Sequence, residues 1–261
     1  MSQESKPGEV TLAVDGRIAI ITVDNQTKKN SYTPEMMRQL AGHLTTFDED
    51  DDLWVAVLCA AGENTTAGLD MPLFFGPGAD AELDPSLVDP FGLGRPATKP
   101  VVAVVQGLTL TVGIEMMLAA DIVVAADTAV FQQLEVARGI APLGGAHFRY
   151  LTRTGWGNAM YHLMRADRFD AQRALQLGFV QEVVPFGEQL SRGIELAREI
   201  CANAPLGVRA TKAAAFTYAA QGESAAIAAI DGVKSSVFES EDFKEGILSF
   251  VERRAANFQG R

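Results

Sequence analysis

Two glutamates in this chain stand in apolar company. Glu115 lies between Gly113-Ile114 and Met116-Met117, and Glu135 lies between Leu134 and Val136. Carboxylates are rarely buried without a partner. Two of them in apolar stretches, with a predicted strand between, are candidates for lining one cavity. Burial and mutual repulsion raise a carboxyl pKa towards neutrality, which suits an acid/base pair that moves protons. For these residues alone, an exposed helix glutamate plus a loop salt bridge is the alternative. Two glycine-bearing segments add a second kind of chemistry: Ala67-Gly68-Leu69-Asp70, and the run from Gly107 through Leu108, Thr109, Leu110, Thr111, Val112 and Gly113 to Glu115. Each lies between a strand and a helix in the pattern. Free backbone N–H groups at a helix start bind an anion or a developing oxyanion. Two such termini facing one another would form a two-donor hole, and ordinary loop glycines are the alternative for either segment alone.

Other chemistries lack their signatures. There is no P-loop, no Gly-x-Ser-x-Gly elbow and no His-Glu-x-x-His. Gly155-Trp156-Gly157-Asn158-Ala159-Met160 opens like a dinucleotide fingerprint but lacks the third glycine. It also follows Tyr150-Leu151-Thr152 in a helical stretch, so no strand feeds it. His43, His147 and His162 show no metal-ligand spacing and read as helix-surface or packing residues, with a pocket role open for His147 beside Gly144-Gly145. No metal, flavin or nicotinamide site is expected.

The elements that would position these residues form an α/β pattern. Residues 10–14 and 17–23 read as a hairpin around Asp15-Gly16, a dipeptide suited to positive φ. Thr33-Pro34-Glu35 opens a helix with a capping hydroxyl, a proline at the first position and an acid in the first turn. It ends at the acidic run 48–52. Residues 54–58 and 101–105 read as buried strands, 113–120 as a helix and 122–124 as a strand. That strand–helix–strand order argues for a parallel sheet with crossover helices. Residues 74–99, rich in Gly, Pro and Asp, read as a long functional loop. After Gly145 the pattern is mostly helical, with Asp170 capping 171–177, a strand at 180–184, and Leu190, Ile194, Ala197 and Cys201 on one helix face. Further helices begin at Pro205 and Ser240.

Composition narrows the partners. The 261 residues carry 22 basic and 33 acidic side chains, a formal net charge of −11. Nucleic-acid binding needs a basic footprint and is not expected. Cys59 and Cys201 form no CxxC pair, which reads as reduced thiols in a cytoplasmic protein. The first nine residues are polar, unlike a signal peptide, and no run of 18 apolar residues predicts a membrane span. The stretch after Pro205 is rich in Ala and carries Phe216, Ile230, Phe238, Ile247 and Phe250, more apolar surface than a soluble monomer leaves exposed.

Together these segments resemble the crotonase family of enoyl-CoA hydratases and isomerases, over nearly the whole chain. Asn30-Ser31-Tyr32 stands where the family has Asn-Ala-Leu, and Ala67-Gly68-Leu69-Asp70 matches its Ala-Gly-x-Asp loop. The run from Gly107 to Glu115 matches its Gly-rich loop and helix. Ala119-Ala120-Asp121-Ile122 and Phe131-Gln132-Gln133-Leu134-Glu135 match the segments that follow. Gly139-Ile140-Ala141-Pro142-Leu143-Gly144-Gly145 resembles the Gly-x-x-Pro-x-x-Gly-Gly run, and Ser240-Glu241-Asp242 with Phe250 to Arg254 the C-terminal signature. The order and spacing of these matches carry the resemblance. It implies a spiral of ββα units over residues 1–200, holding an acyl-CoA site, and a helical oligomerisation region over 201–261. A homotrimer or dimer of trimers is the implied assembly.

The resemblance implies an acyl-CoA thioester as substrate and no separate cofactor. By position, Glu115 and Glu135 are the catalytic pair, and the backbone N–H groups of Leu69 and Val112 are the oxyanion donors. Lys28, Lys29, Ala67, Leu69, Asp70, Met71 and Val112 are the implied substrate contacts, with Lys244, Arg253 and Arg254 as further cations for CoA phosphates. Having both glutamates favours hydration of a 2-enoyl-CoA. Isomerisation, thioester hydrolysis and non-catalytic acyl-CoA binding are the alternatives. Thr111-Val112-Gly113 departs from three frequent glycines, Leu134 from a frequent proline, and Thr65-Thr66 from an aromatic-plus-small pair. Those departures bear on the acyl group more than on the reaction.

Overall fold

The computed structural model describes residues 7–261, so most of the polar opening segment lies outside the described residues. Strands β1 (Glu9–Asp15) and β2 (Ile18–Asp24) pair antiparallel. The turn between them is allowed by Gly16 at φ 60°. Helix α1 (Pro34–Glu49) begins where Thr33 accepts a hydrogen bond from Met36 N at 3.2 Å. Then follow β3 (Val55–Ala60), α2 (Met71–Phe75), β4 (Val101–Val105), β5 (Leu108–Leu110), α3 (Val112–Ala119), β6 (Ile122–Ala126) and β7 (Val130–Gln132). A 3-10 turn, Glu135–Arg138, leads to α4 (Ala146–Arg165), which breaks at Gly155 with φ 75° and ψ 167°. After β8 (Phe169–Asp170) come α5 (Ala171–Gln176), β9 (Glu182–Val184) and α6 (Gln189–Cys201). Four helices close the chain: α7 (Pro205–Gln221), α8 (Glu223–Ala228), α9 (Ile230–Phe238) and α10 (Glu241–Glu252).

The main sheet runs β1-β2-β3-β4-β6-β9, parallel from β2 onward. A second sheet, β5-β7-β8, is extended by isolated bridges between Tyr32 and Leu69 and between Thr66 and Thr109. The chain is therefore a repeat: a strand in the first sheet, a short extended piece in the second, then a helix. Alternation explains the packing. Ala19, Ile21, Val23, Ala56, Ala103 and Val105 face the core shared with α1 and α3. Ile18, Val55, Val57, Val102, Val104 and Val124 face the opposite way, onto Ala197 and Ile194 of α6.

The second sheet was not anticipated from sequence. Its strands are 3, 3 and 2 residues long, too short for a periodic signal. The strand expected at 180–184 is confined to Glu182–Val184. Residues 76–100 form the expected long loop, but its second half is anchored. Val88 N donates to Thr45 Oγ1 at 2.8 Å, and the Asp89 carboxylate accepts from the amides of Phe91, Leu93 and Gly94. Helix α7 is tied to the core by Lys212 Nζ, which reaches Asp121 Oδ2 at 2.7 Å and Lys99 O at 2.9 Å.

Candidate active site

Three turns of the repeat deliver the site residues. In the first, Asn30 adopts φ 55°, a conformation asparagine tolerates, and is 1% exposed. Its Nδ2 donates to Ala61 O at 2.8 Å and Asn64 O at 2.6 Å, while its Oδ1 accepts from Asn25 N at 2.7 Å. That one side chain clamps the 25–31 turn to the 61–64 turn and so places residues 67–70. Leu69 lies in the bridge to Tyr32, yet its own amide has no acceptor among the described residues, whereas Asp70 N is taken by Tyr32 O at 2.8 Å.

In the third turn, β5 swings into α3 through Thr111, a threonine at φ 50° and ψ −114°. This region is costly for a residue with a Cβ, and such strain concentrates at functional loops. Ile114 N and Glu115 N bond back to Thr111 O, while the Val112 amide, first in the helix, has no acceptor among the described residues. The two loops are neighbours: a Cβ on Gly68 would stand 2.7 Å from Thr111 Oγ1. The sequence-predicted pair of free amides is thus brought to one region.

Glu115 is 2% exposed and Glu135 8%. Neither forms a salt bridge among the described residues, and both are buried, so the exposed-glutamate alternative is excluded. Glu115 Oε1 accepts from Ala146 N, the first amide of α4, at 3.1 Å. Gly144 lies against its other oxygen, where a Cβ would come within 2.5 Å. Burial raises the Glu115 pKa, and the Ala146 and Gly144 amides, then Arg149 and His147, oppose that rise. Glu135 is opposed in its rise by its own amide, by Gln133 and by the Leu134 amide. Its Oε1 accepts from Gln133 Nε2 at 2.9 Å and its Oε2 is buried with no hydrogen-bond partner among the described residues. Burial first, with the Glu115 charge adding to it, pushes its pKa up to about 7. The two carboxyls therefore share one electrostatic environment but differ in it.

Four residues that sequence reading did not single out as site groups complete the surround. Gly144 leaves room for the Glu115 carboxyl, and Ala146 supplies its donor. Arg149 Nη1 donates to Gly144 O at 3.0 Å and Nη2 to Phe91 O, tying the long loop to the site. Phe91 then packs against Gly144. Only the glycine pair had a signal in the sequence; the others are set by the kinked approach of α4. Lys28 Nζ is paired with Asp70 Oδ2 at 2.7 Å, so both expected contact residues are engaged with each other. Lys29, at φ 51°, is exposed at the turn. Ala67 N bonds Lys29 O at 2.9 Å, and Met71, half-exposed, opens α2. At the C-terminus Arg254 is committed to Glu245 and Glu252. His147 Nδ1 lies 3.1 Å from Pro142 O, at the rim. Among the described residues no group of three His, Cys, Asp or Glu is placed to hold a metal, and both cysteines are free. Among the described residues no helix is long and apolar enough to cross a membrane.

The described residues thus form a repeat of strands and helices that buries two carboxyls and leaves two loop amides without acceptors among them. The chain is matched over residues 14–261 by the model of the enoyl-CoA hydratase/isomerase family. It is 32% identical to enoyl-CoA hydratase EchA19 of Mycobacterium tuberculosis, covering 94% of either chain. It is 33% identical to a carnitinyl-CoA dehydratase of Escherichia coli, covering 96% of this chain and 98% of that one. Its fold superposes on enoyl-CoA hydratase EchA1 of Mycobacterium marinum with a TM-score of 0.91 at 32% identity, over 97% of this chain and 99% of that one. The chain belongs to the enoyl-CoA hydratase/isomerase family and has the crotonase fold.

Proposed function

We propose that the protein is an enzyme that hydrates a 2-enoyl-CoA thioester reversibly. The observation that carries this reading is the buried, asymmetric pair Glu115 and Glu135. The N–H groups of Leu69 and Val112 take the thioester oxygen and hold the negative charge that develops as the enolate forms. The Ala146 and Gly144 amides and the Arg149 charge oppose the rise that burial causes at Glu115, and Glu115 is assigned as the base that accepts a proton from the attacking water. The water oxygen bonds to C3. Glu135, raised to about 7 and so holding its proton near neutrality, delivers that proton to C2. A proton passing from Glu115 to Glu135 then resets the pair. The two curated relatives named above are called a hydratase and a dehydratase, which supports addition or removal of water.

Crotonyl-CoA and a 3-enoyl-CoA separate this reading from isomerisation. Loss of the conjugated enoyl absorbance with crotonyl-CoA is the expected outcome. Rapid gain of that absorbance from the 3-enoyl substrate, with no hydration of either, would make the protein an isomerase.

A further inference from the structure

Gln133 Oε1, Glu135 Oε2, the Tyr150 hydroxyl and His162 Nε2 are buried with no hydrogen-bond partner among the described residues. Buried polar atoms are nearly always paired, and each exception asks for an explanation such as a bound water. Tyr150 is 0% exposed and lies one turn beyond Ala146 on α4, on the same helix face. That is the helix whose first amide donates to Glu115. The ring packs on Phe179 with centroids 4.5 Å apart, and Phe179 in turn on Phe169 at 6.0 Å. A phenylalanine would satisfy that packing, so the hydroxyl is the part left to explain. Besides burial, the charges that act on it are Glu135, Glu115 and Asp167, in that order. The hydroxyl therefore feels both the glutamate pair and Asp167.

Counting donors identifies its role. His162 Nδ1 is 3.1 Å from Asp167 Oδ1, and a carboxylate only accepts. Nδ1 thus carries a proton. Gln133 spends its amide on Glu135 Oε1 and offers Oε1 as an acceptor. Ionised Glu135 Oε2 is a further acceptor. Among Gln133 Oε1, Glu135 Oε2 and the Tyr150 hydroxyl, the Tyr150 O–H is the donor.

We propose that Tyr150 is a positioning residue for Glu135, joined to its free oxygen through one buried water. The water brings the additional donor that the two acceptors, Gln133 Oε1 and Glu135 Oε2, need, holds the carboxyl in one orientation and favours its ionised form. The other charged groups facing Glu135 are Glu115 on α3, Arg149 and His147 acting through Glu115, and Asp167 with Arg165 beyond Tyr150. Tyr150→Phe leaves all of them in place.

The test follows Glu135 directly, by carbon-13 NMR of protein labelled at the glutamate carboxyls, with its resonance assigned by Glu135→Gln. Tyr150→Phe raises the Glu135 midpoint by about 0.5 pH unit or more. An unchanged midpoint in the folded variant overturns the proposal. Should Tyr150→Phe fail to fold, a ring-fluorinated tyrosine in place of the chain's 4 tyrosines makes the donor stronger. The midpoint then falls, and no movement overturns the proposal. Only the kinetic arm rests on the hydration reading: with crotonyl-CoA, Tyr150→Phe loses roughly 10-fold in kcat at unchanged KM, and its alkaline limb moves up with the midpoint. A wild-type protein that hydrates nothing would fail that reading while the titration still decides Tyr150.

Discussion

Glu135 is a group whose proton the fold holds. An unperturbed glutamate ionises near 4.5, and burial with the Glu115 charge moves Glu135 to about 7 in the folded chain. Between those values the native state binds the extra proton, so ionising Glu135 weakens the fold as pH rises through that window. At ~1.4 kcal/mol per pH unit, the loss is on the order of 2–4 kcal/mol. Glu135→Gln removes it. The melting temperature of that variant, relative to wild type, should therefore rise between about pH 5 and about pH 8. Enoyl-CoA turnover should disappear in both Glu115→Gln and Glu135→Gln while acyl-CoA affinity stays within a few-fold, read by calorimetry. Turnover retained by both variants would remove the acid/base assignment. Tight CoA-ester binding by a wild type that turns over no enoyl-CoA would instead make the protein a binding module.

At the scale of the element, the approach of α4 to α3 sets the site. The chain enters α4 through Gly144 and Gly145, the latter at φ 103°, so that Ala146 N points at Glu115. A Cβ on Gly144 would meet Glu115 Oε2 at 2.5 Å and Phe91 Cδ1 at 2.8 Å. Backbone on one side and a buried carboxyl on the other leave little room to yield. Gly144→Ala is expected to lower kcat about 10- to 100-fold, because a displacement near 1 Å at a reacting group has that effect. The thermal transition should fall by only a few degrees. Wild-type kcat in Gly144→Ala would show that the carboxyl position tolerates the shift.

At the scale of the molecule, the last four helices leave apolar side chains in the open. Phe216 is 54% exposed, Phe238 56%, Ile247 53%, Phe250 85% and Val251 71%. Phe258, by contrast, packs on the face of the main sheet that α6 covers. An apolar surface of that extent is what a subunit contact buries. We propose a trimer or a dimer of trimers, built on residues 201–261. Light scattering at micromolar concentration should give about three or six times the 27.9 kDa chain mass. Deletion after Ser240 should weaken assembly. A stable, active particle of one chain mass would show that these helices serve the monomer alone.

Residues whose meaning is local were legible in the sequence. The Asp15-Gly16 turn, the Thr33 and Asp170 caps and the β-branched strands 55–60 and 101–105 depend on backbone preferences and on which faces are buried. The two glutamates stood out because a charge in an apolar run is costly wherever the chain goes. The second sheet, the Asn30 clamp, the Lys28–Asp70 pair, the Gly144 contact and the unpaired Tyr150 hydroxyl had no such signal. Each joins residues more than 20 positions apart, or, like Tyr150 in a helix that reads as ordinary core, has its meaning set by neighbours from other elements. Local pattern determines which segments become strands and helices and which charges must be accommodated. The close packing of distant turns decided which atoms meet, because a carboxyl's proton affinity is set by everything within a few ångströms of it.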